Sequence, residues 1–153
     1  MNAAVEAPTG FLNVESPDHP GWMTWDLSDN TRFNAVLGAM LVRRDGDVAR
    51  VRIFPAHGHT NMNDNVHGGV SLAFADIALF AGARMLGMAT ADNAVTLDLS
   101  MQFLGAGVAG IPLDAEVELL RETGRLAFLR GILSQEQGLI AAFSGTLRKA
   151  TVR

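Results

Sequence analysis

The sequence predicts an α+β fold in which an antiparallel sheet wraps around one long central helix. Three observations predict it. Only residues 68–86 are long enough for a core helix, and their Ala, Leu, Phe and Ile side chains cover nearly every face. A helix that is apolar all round is buried on most sides. Later stretches alternate apolar and polar residues with the period of a strand. The links between those stretches are short, so neighbouring strands pair antiparallel.

Along the chain, residues 1–30 read as a loose, polar tail and lead-in carrying Pro and Gly, and residues 31–153 as the folded domain. Residues 31–42 read as a short helix opening into a strand. Residues 41–44 and 48–54 read as two strands joined at Asp45-Gly46, a hairpin turn signal. Residues 55–65 form a loop rich in His and Asn that leads into the helix. Beyond the helix, Val95, Leu97, Leu99, Met101 and Phe103 alternate with Thr96, Asp98, Ser100 and Gln102. Further strands are expected over 113–119, 126–134 and 139–149, with turns at Gly124-Arg125 and Glu136-Gln137-Gly138. The sheet covers only part of the helix, so a second subunit is the natural cover for the rest.

Composition narrows the function. The 153 residues suit one domain, and 48% hydrophobic against 18% charged residues suffices for a real core. A net charge of -4, a single lysine (Lys149) and no basic cluster exclude a nucleic-acid protein. The absence of cysteine excludes thiolate catalysis, disulfides and Cys-based zinc sites. No secretory signal is visible in residues 1–10, and Asp76 in mid-segment makes the apolar stretch a poor membrane span. The expectation is a soluble, cytoplasmic protein.

The chemistry concentrates between Asn61 and Asp76. A polar loop enters the helix through Gly68-Gly69, where backbone can approach a ligand closely. The first N–H groups of a helix have no intrahelical partner and sit at the positive end of its dipole, so they can hold a developing oxyanion. Two turns on, Asp76 projects from an otherwise apolar helix, where a carboxylate is costly unless it is hydrogen-bonded or functional.

Asn61, His67-Gly68-Gly69 six residues later and Asp76 nine after the His give this stretch a resemblance to the PaaI-like acyl-CoA thioesterases of the hotdog fold. Val95-Thr96-Leu97-Asp98, the loop 104–110 before Pro112-Leu113, and Gly124-Arg125-Leu126-Ala127-Phe128 extend the likeness over residues 37–149. The resemblance implies hydrolysis of an acyl-CoA thioester at a site shared by subunits of a homodimer or homotetramer. Asp76 would be general base or nucleophile, the Gly68 N–H the oxyanion donor, and Asn61 would position water or the carboxylate. His67 would order the loop and Thr96 would hydrogen-bond near Asp76. Gly69, Gly124 and Arg125 would bind substrate, the arginine through CoA phosphate. In one respect the chain departs from the family. Asp64 stands where the family usually has Gly, which puts the loop backbone in question and brings a second carboxylate close.

Other patterns read as structural. His57, His59 and His67 with Asp64 lack the fixed three-ligand geometry of catalytic zinc, so neither metal nor cofactor is expected. Gly105-Ala-Gly107-Val-Ala-Gly110 matches a dinucleotide fingerprint, but Pro112 and a strand follow where a helix is required. Gly69-Val-Ser71-Leu-Ala73 falls short of a serine-hydrolase elbow, and Ser71 reads as a first-turn helix residue. Met85, Met88, Phe74 and Phe80 read as core or subunit contact. Arg43, Arg44, Arg50 and Arg52 read as a solvated strand face, leaving Arg121, Arg125 and Arg130 as candidates for phosphate. Two rivals stand beside hydrolysis: a hotdog enoyl-CoA hydratase, which an enoyl-CoA hydration assay would reveal, and a non-catalytic acyl-CoA-binding protein.

Overall fold

A computed structural model describes residues 10–88 and 90–151. Short strands β1 (Phe11–Leu12), β2 (Met23–Thr24) and β3 (Asp26–Leu27) precede a 3₁₀ turn at Phe33–Leu37. The hairpin strands β4 (Met40–Asp45) and β5 (Val48–Ile53) follow, then helix α1 (Gly68–Met85). Last come β6 (Val95–Phe103), β7 (Leu113–Glu122), β8 (Leu126–Gln135) and β9 (Gly138–Arg148). Seven strands form one sheet in the order β2-β4-β5-β7-β8-β9-β6, with every neighbour antiparallel. The β4–β5 hairpin turns where the sequence signals it, with Gly46 supplying the positive φ of the first loop residue.

The helix lies across the sheet, mainly over β5 and β7. Phe74, Ala75, Ala78, Leu79, Ala81 and Ala83 are buried against the inner face, with Val51, Ile53, Leu113, Ala115 and Val117 opposite. Small residues set the approach. A Cβ on Gly82 would stand 2.7 Å from Val117, closer than carbon atoms pack. By length and composition α1 would also pass for a membrane span, yet half of it is buried inside the protein as the core helix. Leu72 and Asp76, one turn apart, lie on the side the sheet does not cover.

Two expectations fail at the sheet's outer surface. Residues 1–9 lie outside the described part, but residues 11–27 are no loose tail. β1 pairs with β3, β2 pairs with β4, and the Trp25 backbone N–H donates to the Met40 carbonyl. Trp22 and Trp25 are buried at 5% and 3% exposure. Burying two indoles removes enough apolar surface to offset the entropy of ordering a Pro- and Gly-bearing segment. Nor are Arg43, Arg50 and Arg52 a solvated face, although Arg44 is exposed as expected. Arg52 donates to both Asp114 oxygens at 2.6 and 2.7 Å, and Arg50 pairs with Glu116. The hydrogen bonds to Asp114 hold the Arg52 guanidinium above its ordinary pKa. Arg43 and Arg52 both stack on the Trp22 ring, at 4.5 and 4.6 Å from its centre. Cross-strand register supplies the acids, since Arg50 and Arg52 face Glu116 and Asp114 on β7.

Strand β6 carries a detail that the site depends on. Its pairing with β9 slips between Thr96 and Asp98, so one extra residue bulges there. Strict alternation would set Thr96 on the face opposite Leu99 and Met101. The bulge reverses the parity. Thr96 now lies opposite buried Leu147, and Leu99 lies opposite Gly145, against which Leu79 of α1 packs.

Candidate active site

The helix entry is built by its own loop. Asn61 Oδ1 accepts the N–H groups of Asn63 and Asn65 at 2.9 and 3.2 Å, which folds the loop upon itself. Asp64 completes that turn with a left-handed φ of 59°, a conformation that glycine adopts freely and Asp tolerates. The substitution for the family's usual Gly thus leaves the turn a left-handed residue. His59 ties the loop down from behind. Its Nδ1 accepts the Ala56 N–H at 3.0 Å, and its Nε2 bonds to the Val36 carbonyl at 2.6 Å. Both ring nitrogens are thereby occupied. Among the described residues no three His, Asp or Glu side chains converge as a metal site.

His67 caps the helix. Its Nδ1 accepts the Gly69 N–H at 2.8 Å, which consumes the donor that Gly69 could have offered a ligand. Among the described residues the Gly68 N–H has no such partner, and Gly68 lines a cleft of about 420 Å³. Asn61, Val66, Gly68, Ser71, Phe103 and Ile140 are among its walls. Phe103 packs so close to Gly68 that an added Cβ would meet its ring at 3.3 Å.

Gln135, which the sequence reading passed over, holds the far wall. It is buried, and its Nε2 donates to the Val108 and Ile111 carbonyls at 2.9 and 3.0 Å while its Oε1 accepts the Val108 N–H. The loop so held passes on the constraint, because the Val66 N–H donates to the Gly107 carbonyl at 2.8 Å. A glutamine in a strand gives no sequence signal of this work; only the loop facing it does.

Asp76 sits elsewhere. Thr96 Oγ1 donates to Asp76 Oδ1 at 2.6 Å, and the carboxylate is half-buried. This bond fixes the carboxylate's orientation, and among the described residues Oδ2 has no partner. Eight residues of helix separate Asp76 from Gly68, about 12 Å along the axis. Within one chain the two cannot reach the same carbonyl group.

A third cluster lies near Thr96. Gly124, Arg125, Leu126, Arg148 and Lys149 line an open cleft. Arg148 pairs with Val95 and Leu126 and is next along β9 to Leu147, the partner of Thr96. Lys149 is held by Glu122 at 2.5 Å, and Arg125 is exposed. Sequence reading found Arg125 but missed Arg148 and Lys149, which are distant in sequence and join it only through β8–β9 pairing. Of the other arginines considered for phosphate, Arg130 is engaged by Glu118 at 2.8 Å.

Comparison with known proteins fits this arrangement. A sequence model described as the thioesterase superfamily matches residues 63–142. A comparison with curated proteins finds no match. Among solved structures, a variant of the phenylacetic acid degradation protein PaaI from Thermus thermophilus is 26% identical. The match covers 77% of this chain and 98% of that one, with a TM-score of 0.65. The E. coli PaaI protein from the phenylacetic acid degradation operon is 23% identical, over 76% and 83% of the two chains, with a TM-score of 0.66. A hypothetical thioesterase from Streptococcus pneumoniae, solved with coenzyme A, shares the fold at 18% identity, over 78% and 92%, with a TM-score of 0.68.

Proposed function

The chain belongs to the thioesterase superfamily as a PaaI-like protein of the hotdog fold, and on that premise we propose that it hydrolyses an acyl-CoA thioester to the free acid and CoA. The observation that carries the reading is the hydrogen bond from Thr96 to Asp76, which aims a carboxylate with one open oxygen out of an apolar helix. Asp76 takes the proton of an attacking water, or attacks the carbonyl carbon itself as nucleophile. The thioester oxygen gains the negative charge, and the Gly68 N–H stabilises it. The carbon–sulfur bond then breaks, and the proton that Asp76 took from water passes to the sulfur, so that CoA leaves as the thiol. On the nucleophilic route the acyl group stays on Asp76 as an anhydride, and water cleaves it to the free acid while giving its proton to the CoA thiolate. Asn61 orders the loop that sets Gly68 and lies beside the reacting carbonyl, and His67 fixes the helix start.

The separation of Asp76 from Gly68 requires the two to come from different copies of the chain. The surface around them supports such an assembly. β6 is the sheet's last strand, and Val95, Leu97, Phe103 and Leu104 are exposed along it and just past it, with Leu72 on the helix nearby. An apolar edge strand of this kind is a liability unless it is covered. A homodimer or homotetramer in which β6 and the open side of α1 meet a second copy covers it and brings Asp76 of one copy to Gly68 of the other. CoA phosphates bind at Arg125, with Gly124 allowing close approach and Arg148 and Lys149 adding charge.

The test is Asp76→Asn, which keeps shape and the Thr96 contact but removes the charge and the basic lone pair. With a panel of acyl-CoA thioesters and free-thiol detection, kcat falls about 10²–10⁴-fold, KM changes little, and thermal stability holds or rises because a partly buried charge is gone. Turnover near the wild-type rate would make Asp76 structural and end the proposal.

A further inference from the structure

The cleft at the start of α1 holds a polar group that the proposed mechanism does not use. Ser71 lines it from one turn inside the helix and is only 2% exposed. Its hydroxyl makes no hydrogen bond with any described residue. A helical serine ordinarily satisfies itself by bonding back to the carbonyl four residues earlier. Here that carbonyl, of His67, already accepts the N–H groups of Val70 and Ser71 at 2.9 and 3.1 Å. The hydroxyl faces the cleft, so what fills the cleft decides whether it is paired, and a hydroxyl closed off without a partner costs stability. Helical side chains lean toward the N-terminus, which inclines Ser71 toward Gly68. Val66, Phe103, Leu104 and Ile140 give the same cleft apolar walls. The arrangement is a cleft with apolar walls on one side, Asn61 and Asn65 on the other, Gly68 at the helix start and one unmet hydroxyl within.

We propose that this cleft is the acyl subsite and that Ser71 selects acyl groups bearing a second oxygen, a hydroxyl or carbonyl about one helical turn from the thioester carbonyl. The inference rests on the reading of the chain as an acyl-CoA hydrolase and names its substrate class. An oxygen in that place pairs with Ser71. A plain hydrocarbon chain of the same length leaves the hydroxyl buried and unpaired, so the penalty falls on the wrong substrate. The apolar walls favour both substrates alike, and Ser71 is the side chain whose removal tests the selection.

The experiment compares β-hydroxybutyryl-CoA, γ-hydroxybutyryl-CoA and butyryl-CoA. The wild type should prefer one hydroxylated thioester over butyryl-CoA by about tenfold in kcat/KM, the worth of one net hydrogen bond. In Ser71→Ala the ratio should fall to near one, mostly through slower turnover of the hydroxylated thioester. Folding is not at risk, because alanine is the better helix former and removes an unpaired hydroxyl; the melting temperature should hold or rise. The same ratio is then measured as binding by calorimetry, in Asp76→Asn with and without Ser71→Ala. A wild type without preference, or a Ser71→Ala variant that keeps the wild-type ratio, overturns the proposal while leaving hydrolysis intact. If no thioester is hydrolysed, the mechanism falls, and the calorimetric ratio alone decides the subsite: its collapse on Ser71→Ala supports the proposal, its persistence refutes it.

Discussion

The two ends of the open side of α1 are built on different principles. In the mechanism we propose, function at the helix start rests on backbone. The Gly68 N–H is open because His67 takes the neighbouring donor, and the loop behind it is tied by Asn61, His59 and, through Gly107, Gln135. Two turns on, function rests on one side chain, Asp76, held by one hydrogen bond from Thr96. Backbone donors need a rigid loop, and the sequence spends many residues on it. A carboxylate needs only a partner for one oxygen and a surface that leaves the other open. The contrast teaches why one chain carries both parts and completes neither. The helix that displays them also holds them apart, so the proposed reaction draws its second part from another copy of the chain.

This contrast can be broken at each end. Gly68→Pro removes the backbone donor, and its ring asks only that Phe103, which an added Cβ would meet at 3.3 Å, give way by a few tenths of an ångström. Gly68 is the first helical residue, where proline is favoured. His67, with φ -61° and ψ 137°, already has the extended conformation that a following proline imposes. Loss of the donor should lower kcat about 10²–10³-fold, measured by free-thiol release, with the helix content unchanged by circular dichroism. An unaffected rate would remove Gly68 from the mechanism and leave the loop's elaborate bonding without a catalytic reason.

Removing charge at the CoA cleft sharpens the comparison from outside. Arg125→Ala should raise KM several-fold with kcat little changed, because it removes binding shared by ground and transition states. Arg148→Ala should act the same way and more weakly, since its place on β9 leaves it less free to follow the ligand. A fall in kcat alone would place these residues in the chemistry instead.

The smallest effect concerns the loop itself. Asp64 adopts the left-handed conformation at φ 59°. Alanine, with a Cβ and no polar atom to bond locally, should cost about 1 kcal/mol there, and glycine should be neutral or stabilising by several tenths. Chemical denaturation of Asp64→Ala and Asp64→Gly reads this directly. Equal stabilities would mean the turn relaxes, and that the loop behind Gly68 is softer than its hydrogen bonds imply.

Much of the architecture was legible because the relevant signals are local. The all-apolar run at 68–86 became Gly68–Met85, and the alternation of residues 95–103 became β6 over the same span. The family resemblance carried by their spacing singled out Asn61, His67, Gly68 and Asp76. What was hidden depends on pairing. The family resemblance sets Thr96 beside Asp76, but the means was hidden: a bulge reverses the parity of β6, and nothing in Val95-Thr96-Leu97-Asp98 announces it. The packing of Trp22 between arginines and the gathering of Arg148 and Lys149 beside Arg125 are likewise products of register. Ser71 looked like an ordinary first-turn residue because its environment, not its identity, sets it apart.

The central claim is that each site is shared between two copies of the chain, and complementation tests it most directly. Asp76→Asn and Gly68→Pro each inactivate both sites of their own homodimer. Unfolded together in equal amounts and refolded, they pair at random, and half of the dimers are mixed. A mixed dimer joins the Asp76 of one variant to the Gly68 of the other at one of its two sites. Activity should therefore return to about a quarter of the wild-type value. If Asp76 and Gly68 instead served one site within a single chain, no mixed dimer would hold an intact pair, and the mixture would stay as inactive as its two components.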